Sequence, residues 1–158
     1  MKYRFTIVFI AISLLWACAE SQKTSENQDP STSADCLGAK AVKAADLYGD
    51  WKARIEGSAA EATVTFEAHK ETEGALSGRI VRPSGSGAAQ APTTSVLAGG
   101  VGDGQFGIEE SDDGRRISGL WNGDVVPNSC GREIRGTWID PADDSERGFV
   151  LRRGARRW

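Results

Sequence analysis

The sequence holds one histidine, one methionine and three cysteines, and the cysteines form no C-x-x-C pair. Each shortage removes a class of function. A lone imidazole leaves little for histidine-based metal sites or nucleophile–base triads. His69 itself follows a half-apolar stretch and sits beside Lys70, Glu71 and Glu73, which reads as a solvated turn. Without a close cysteine pair, dithiol redox chemistry has no carrier. No H-E-x-x-H, no G-x-S-x-G and no phosphate-cradling glycine loop occurs, which removes the commonest metalloprotease, hydrolase and nucleotide-binding signatures. Positive charge is not in excess either. Lys and Arg number 19 against 22 Asp and Glu, a formal charge of −3, so a nucleic-acid partner is not expected. The longest apolar run, Phe5 to Trp16, falls short of the roughly 20 residues that a spanning helix needs.

What is present divides into three parts. Lys2 and Arg4 give a positive start, the apolar run follows, and a polar stretch begins after Cys18. That is the build of an export signal. The segment Leu15-Trp16-Ala17-Cys18 resembles a lipobox, the processing site of bacterial lipoproteins. The resemblance implies that residues 1–17 are a removed signal peptide and that Cys18 carries the lipid. Several acyl chains, at about 0.8 kcal/mol per buried methylene, would hold the chain on a membrane. Ala19 stands where a retention aspartate would be, which by resemblance to proteobacterial sorting implies the outer membrane, facing the periplasm. Loss of Lys2 and Arg4 moves the net charge to about −5, mildly acidic.

Residues 18–45 are expected to form a lipidated flexible tether and a short helical lead-in. Residues 19–35 carry almost nothing apolar and cannot offset the entropy of ordering. Alanine-rich residues 37–47 have the composition for one or two helical turns that need a domain to pack on. Export also places Cys36 and Cys130 in an oxidising compartment, and with Cys18 lipidated they are the remaining pair. A structural disulfide is expected between them.

From residue 46 to 158 the period changes to two. Trp51, Ala53 and Ile55 alternate with charged residues, as do Val64, Phe66 and Ala68, then Leu76, Gly78 and Ile80. Weaker strands are expected near 95–101 and 105–108, then at 117–121, 132–138 and 148–152. Four segments share the form apolar-x-Gly-x-large: Leu47 to Trp51, Leu76 to Ile80, Ile117 to Trp121 and Ile134 to Trp138. A glycine at core parity in a strand marks a bend or a large neighbour over the backbone. Alternating small and large inward residues also suit a narrow barrel. The fold class is therefore all-β, an antiparallel up-and-down meander closing into a small barrel of about eight strands, which leaves no free edge.

Gly49-Asp50-Trp51 on the first strand and Arg152-Arg153 on the last resemble the calycin pattern of lipocalins, avidins and bacterial metalloprotease inhibitors. The resemblance implies that Arg152 or Arg153 caps Trp51 at the closed end, and period-two counting favours Arg153, which shares a face with Phe149 and Leu151. Trp121 and Trp138 sit in Gly-x-Trp contexts similar to avidin strands, but the polar residues of a biotin site cannot be placed. Those two tryptophans read as barrel core or as the lining of a ligand cavity. Parity puts Arg115, Arg132 and Arg147 inward, as wet caps or as contacts for an anionic ligand. The acid pairs Asp112-Asp113 and Asp143-Asp144 fit turns, or a weak calcium site. No residue stands out as catalytic, and no cofactor or metal is called for. The expectation is a non-enzymatic, membrane-anchored barrel that binds a small amphipathic molecule. The alternative is a protein-interaction module, inhibitor-like or envelope-assembling, that uses a loop such as 83–92.

Overall fold

In the computed structural model the described residues are 36–83 and 91–154. The lipobox-like segment with Cys18, the proposed tether to Asp35 and most of the 83–92 loop lie outside them.

A one-turn 3-10 helix, Ala39–Ala41, and a single α-turn, α1 (Ala44–Leu47), precede the barrel. Asp46 tightens this turn by accepting from the Lys43 N–H. Eight strands follow: β1 (Gly49–Ile55), β2 (Ala62–Ala68), β3 (Leu76–Arg82), β4 (Thr93–Gly102), β5 (Gln105–Ser111), β6 (Gly119–Val125), β7 (Glu133–Asp140) and β8 (Ser145–Arg153). Each pairs antiparallel with its chain neighbour, and β8 returns to β1, closing the barrel. The all-β meander expected from period-two patterning is the fold observed.

Several strand limits differ from those expected, and the differences matter for the site. β5 runs on from Ile108 to Ser111, so Glu110 is an inward strand residue. β6 begins at Gly119, two residues later than its apolar pattern suggests, and leaves Ile117 45% exposed. Within the 112–118 turn, the Asp113 carboxylate accepts from the N–H groups of Arg115 and Arg116 and holds the chain out of the sheet.

The interior is filled. A column of aromatic rings crosses it, edge-to-face but for the tilted third pair: Trp51 to Phe66 at 6.3 Å, Phe66 to Phe106 at 5.9 Å, Phe106 to Phe149 at 6.4 Å and Phe149 to Trp121 at 4.8 Å. Pairs of this geometry add about 0.5–1.5 kcal/mol each beyond the area they bury. Two repeated glycines make room for this packing. At Gly119 a β-carbon would sit 2.5 Å from the Trp138 indole nitrogen, and at Gly136 it would run into the backbone of Asn122 and Gly123 on the adjoining strand.

One end of the barrel is sealed. Leu47, Val42 and Ala44 of the lead-in are buried against it. The Trp51 indole donates to the Leu47 carbonyl at 2.7 Å. Arg153 lies over Trp51 at 5.8 Å and donates to the carbonyls of Asp46 and Tyr48. Arg152 instead points outward and donates to Glu133 at 3.0 Å. Cys36 and Cys130 form a disulfide across 94 residues, tying the lead-in to the loop between β6 and β7.

Candidate functional site

The opposite end, the mouth, carries the β1–β2, β3–β4, β5–β6 and β7–β8 connections. Period two continues there past the last apolar residue. After Leu76, Gly78 and Ile80 the next inward position of β3 is Arg82, and after Phe106 and Ile108 the next of β5 is Glu110. The aromatic column thus ends on a charged pair.

Glu110 has 2% of its side chain exposed and Arg82 has 27%. The guanidinium grips the carboxylate with both Nη atoms, at 2.5 and 2.8 Å. Oε2 accepts two further bonds, from the indole N–H of Trp121 at 3.0 Å and of Trp138 at 3.2 Å. Burial pushes the Glu110 carboxyl up. The hydrogen bonds and charge of Arg82, helped by the Trp121 indole, outweigh burial and hold it below the usual carboxylate range. A carboxylate held ionised is a poor general base near neutrality and a good fixed anchor.

Further polar side chains surround this pair. Ser95, itself buried, donates to Asp112 at 2.6 Å, and Arg82 reaches the Ser95 hydroxyl at 3.4 Å. Asp140 accepts from the Ala142 N–H in the β7–β8 turn. Arg147 rests over the Trp138 ring at 5.4 Å. Two hollows open here. One, of about 510 Å³, is lined by Thr93, Asp112, Ser118, Trp138 and Asp140 above Arg82 and Glu110. The other, of about 160 Å³, is more apolar, with Ala53, Ile55 and Ala62 at its base and Arg82 and Pro83 at its side. Arg82 borders both.

The structure separates the residues singled out in the sequence. Trp138 lines the larger hollow, whereas Trp121 is buried beneath it and serves as a donor to Glu110. Arg115 is not inward. It is exposed in the 112–118 turn because β6 has not yet begun. Arg132 is likewise exposed, in the β6–β7 loop at the sealed end, where its guanidinium donates to the Gly154 carbonyl. Neither belongs to the mouth pair. His69 accepts through Nδ1 from the N–H groups of Glu71 and Thr72, within its turn. Asp143 caps its turn by accepting from the Ser145 N–H. Among the described residues no group of three or more His, Cys, Asp and Glu side chains is arranged to hold a metal ion.

Arg82 and Glu110, which dominate the site, were not picked out from the sequence. The usable signal was parity: each stands two residues beyond an inward isoleucine, Ile80 and Ile108. No protein-family model matches the chain, and no curated protein matches it.

Proposed function

We propose that this chain is a lipid-anchored protein of the bacterial cell envelope whose calycin-like barrel binds a small amphipathic molecule at its mouth, without catalysing its conversion. The observation that carries the reading is the open hollow above the buried Arg82–Glu110 pair. Its size, about 510 Å³, lies within the range of small-molecule sites. Burying an ion pair is seldom the cheapest way to fill a core, because desolvation offsets most of the attraction. Held rigid by two indole donors, the pair supplies a preorganised polar floor, and the Trp138 ring supplies a wall. The anchoring half of the proposal rests on Leu15-Trp16-Ala17-Cys18 and the export signal before it. An oxidising compartment accords with the Cys36–Cys130 bond.

A protein-interaction role is the second reading, and one observation favours it. Val96 and Ile117, 50% and 45% exposed, flank the same shallow groove on the outer wall near the mouth.

Native mass spectrometry of the full chain, extracted from its membrane in mild detergent, tests the binding role. A bound molecule of a few hundred daltons that is lost in Trp138→Ala supports the small-ligand reading. A co-purifying protein lost in Val96→Asp supports the second, and retention of the molecule in Trp138→Ala overturns the assignment to the mouth. Labelling with a radioactive fatty acid, compared between the natural chain and Cys18→Ser, tests the anchor. Equal labelling of the two would remove it.

A further inference from the structure

Resting on that reading, we infer that the ligand of the mouth is a cationic amphiphile: an ammonium or guanidinium head joined to a short apolar tail. Three features of the mouth select this chemistry.

The first is the charge left over once internal pairs are formed. Arg82 is taken by Glu110, Arg116 by Asp113, and Arg147 lies over the Trp138 ring. Asp112 and Asp140 remain, both bordering the larger hollow. Each uses Oδ1 within the protein, Asp112 for the Ser95 hydroxyl and Asp140 for the Ala142 N–H. Neither has a basic side chain bonded to it among the described residues. The hollow therefore offers two carboxylates as acceptors. Arg82, the guanidinium that lines it, is already engaged, so an anionic head would meet Asp112 and Asp140 and would have to compete with Glu110 for Arg82.

The second is the Trp138 ring, which forms a wall of the same hollow. Its face already carries a cation, since Arg147 sits over it at 5.4 Å. The ring quadrupole attracts positive charge, and an incoming ammonium would take the place that the exposed Arg147 holds.

The third is the smaller recess. Ala53, Ile55 and Ala62 give it an apolar lining, Arg82 borders both it and the polar hollow, and about 160 Å³ is enough for a short alkyl tail. Head and tail sites thus adjoin across one side chain. A molecule spanning them has its charge at Asp112 and Asp140 and its hydrocarbon against Ala53 and Ile55.

The test uses tryptophan fluorescence and calorimetric titration of the full chain, held in mild detergent, with three probes of equal chain length: hexylammonium, hexanoate and hexanol. The expected result is that hexylammonium binds at least tenfold tighter than hexanoate. Its affinity should fall with added salt, as a charge contact requires. Asp112→Asn combined with Asp140→Asn should weaken hexylammonium at least tenfold and leave hexanol unchanged, while Glu71→Gln at the sealed end should change nothing. Circular dichroism confirms that each variant is folded, and Asp140→Asn alone serves if the double variant is not. Tighter binding of hexanoate than of hexylammonium overturns the cationic assignment but leaves a mouth ligand in place. Equal binding of all three probes, insensitive to the aspartate changes, overturns it in the same way. If no probe binds and native mass spectrometry also shows no small molecule, the mouth-binding reading fails with it.

Discussion

Each end of this barrel holds a part-buried arginine, but the two are satisfied differently. At the sealed end Arg153 lies over Trp51 and spends its donors on the backbone carbonyls of Asp46 and Tyr48. At the mouth Arg82 spends its donors on a carboxylate, and the tryptophans donate to that carboxylate as well. Carbonyls of a fixed turn cannot be withdrawn, so the sealed end works as a clasp. A carboxylate in a cluster of side chains depends on each neighbour being present. The mouth is therefore the more fragile end, and the end that a ligand can reach.

The largest effect expected from separating the two is at the clasp. Replacing Cys36 and Cys130 together by serine releases a 94-residue loop and should cost about 4–5 kcal/mol in the chain-entropy account. Urea denaturation measures it. Near-ultraviolet circular dichroism should keep the Trp121 and Trp138 signals while native protein persists, since the disulfide is at the far end. Loss of those signals before unfolding would show that the ends are coupled.

Next comes the mouth pair. Arg82→Met leaves Glu110 buried without its cation, a change that costs about 3–5 kcal/mol for buried pairs. Arg82→Met with Glu110→Met should recover only part of this. The Trp121 and Trp138 indoles would then lack their acceptor, at about 1–3 kcal/mol for each buried donor left unmet. A double-mutant cycle separates the terms. If Arg82→Met alone costs under about 1 kcal/mol, the mouth is wetter than its 2% exposed Glu110 implies. Smaller again is Arg153→Met, expected near 2 kcal/mol, from the ring contact together with bonds to carbonyls of part-exposed residues that water can reach instead. Arg153→Lys should fall between, because an ammonium keeps the charge but cannot fork between two carbonyls.

Legibility followed the same division. Trp51 and its arginine could be placed because the calycin resemblance pairs them, and apolar periodicity through the end of β8 favoured Arg153 over Arg152. The mouth was harder because a polar residue at a core position reads as the end of a strand. Ile108-Glu109-Glu110 looks like a strand leaving the sheet, yet β5 continues and Glu110 is held inside by partners 28 and 11 residues away. Arg115 shows the converse. It has the parity of Gly119 and Trp121, but parity orients a side chain only once its strand has begun. Asp113 delays that start by bonding the N–H groups of Arg115 and Arg116. Both cases turn on long-range or side-chain-to-backbone bonds that period counting does not contain.

The smallest effect, and the one most specific to the mouth, concerns acid. Glu110 in the fold titrates below its ordinary value near 4.5, so the native state takes up its proton later than the unfolded chain does. The stability it contributes is complete above about pH 4.5 and is lost as pH falls through its lowered value. Removal of Arg82 should reverse the sign. Burial, which raises the Glu110 value, then acts without the main opposing bonds. The Arg82→Met protein would bind a proton above pH 4.5 when folded and become relatively more stable as pH drops from 7 toward 5. The difference in unfolding free energy between the natural chain and Arg82→Met should therefore shrink over that interval. Asp113 provides an internal reference, because its value of about 2 is set first by the N–H groups of Arg116 and Arg115 in an exposed turn and should be the same in both proteins. A gap that stays constant from pH 7 to 5, with Asp113 unmoved, would mean that water replaces Arg82 around Glu110, and the two ends of the barrel would then differ in geometry but not in dryness.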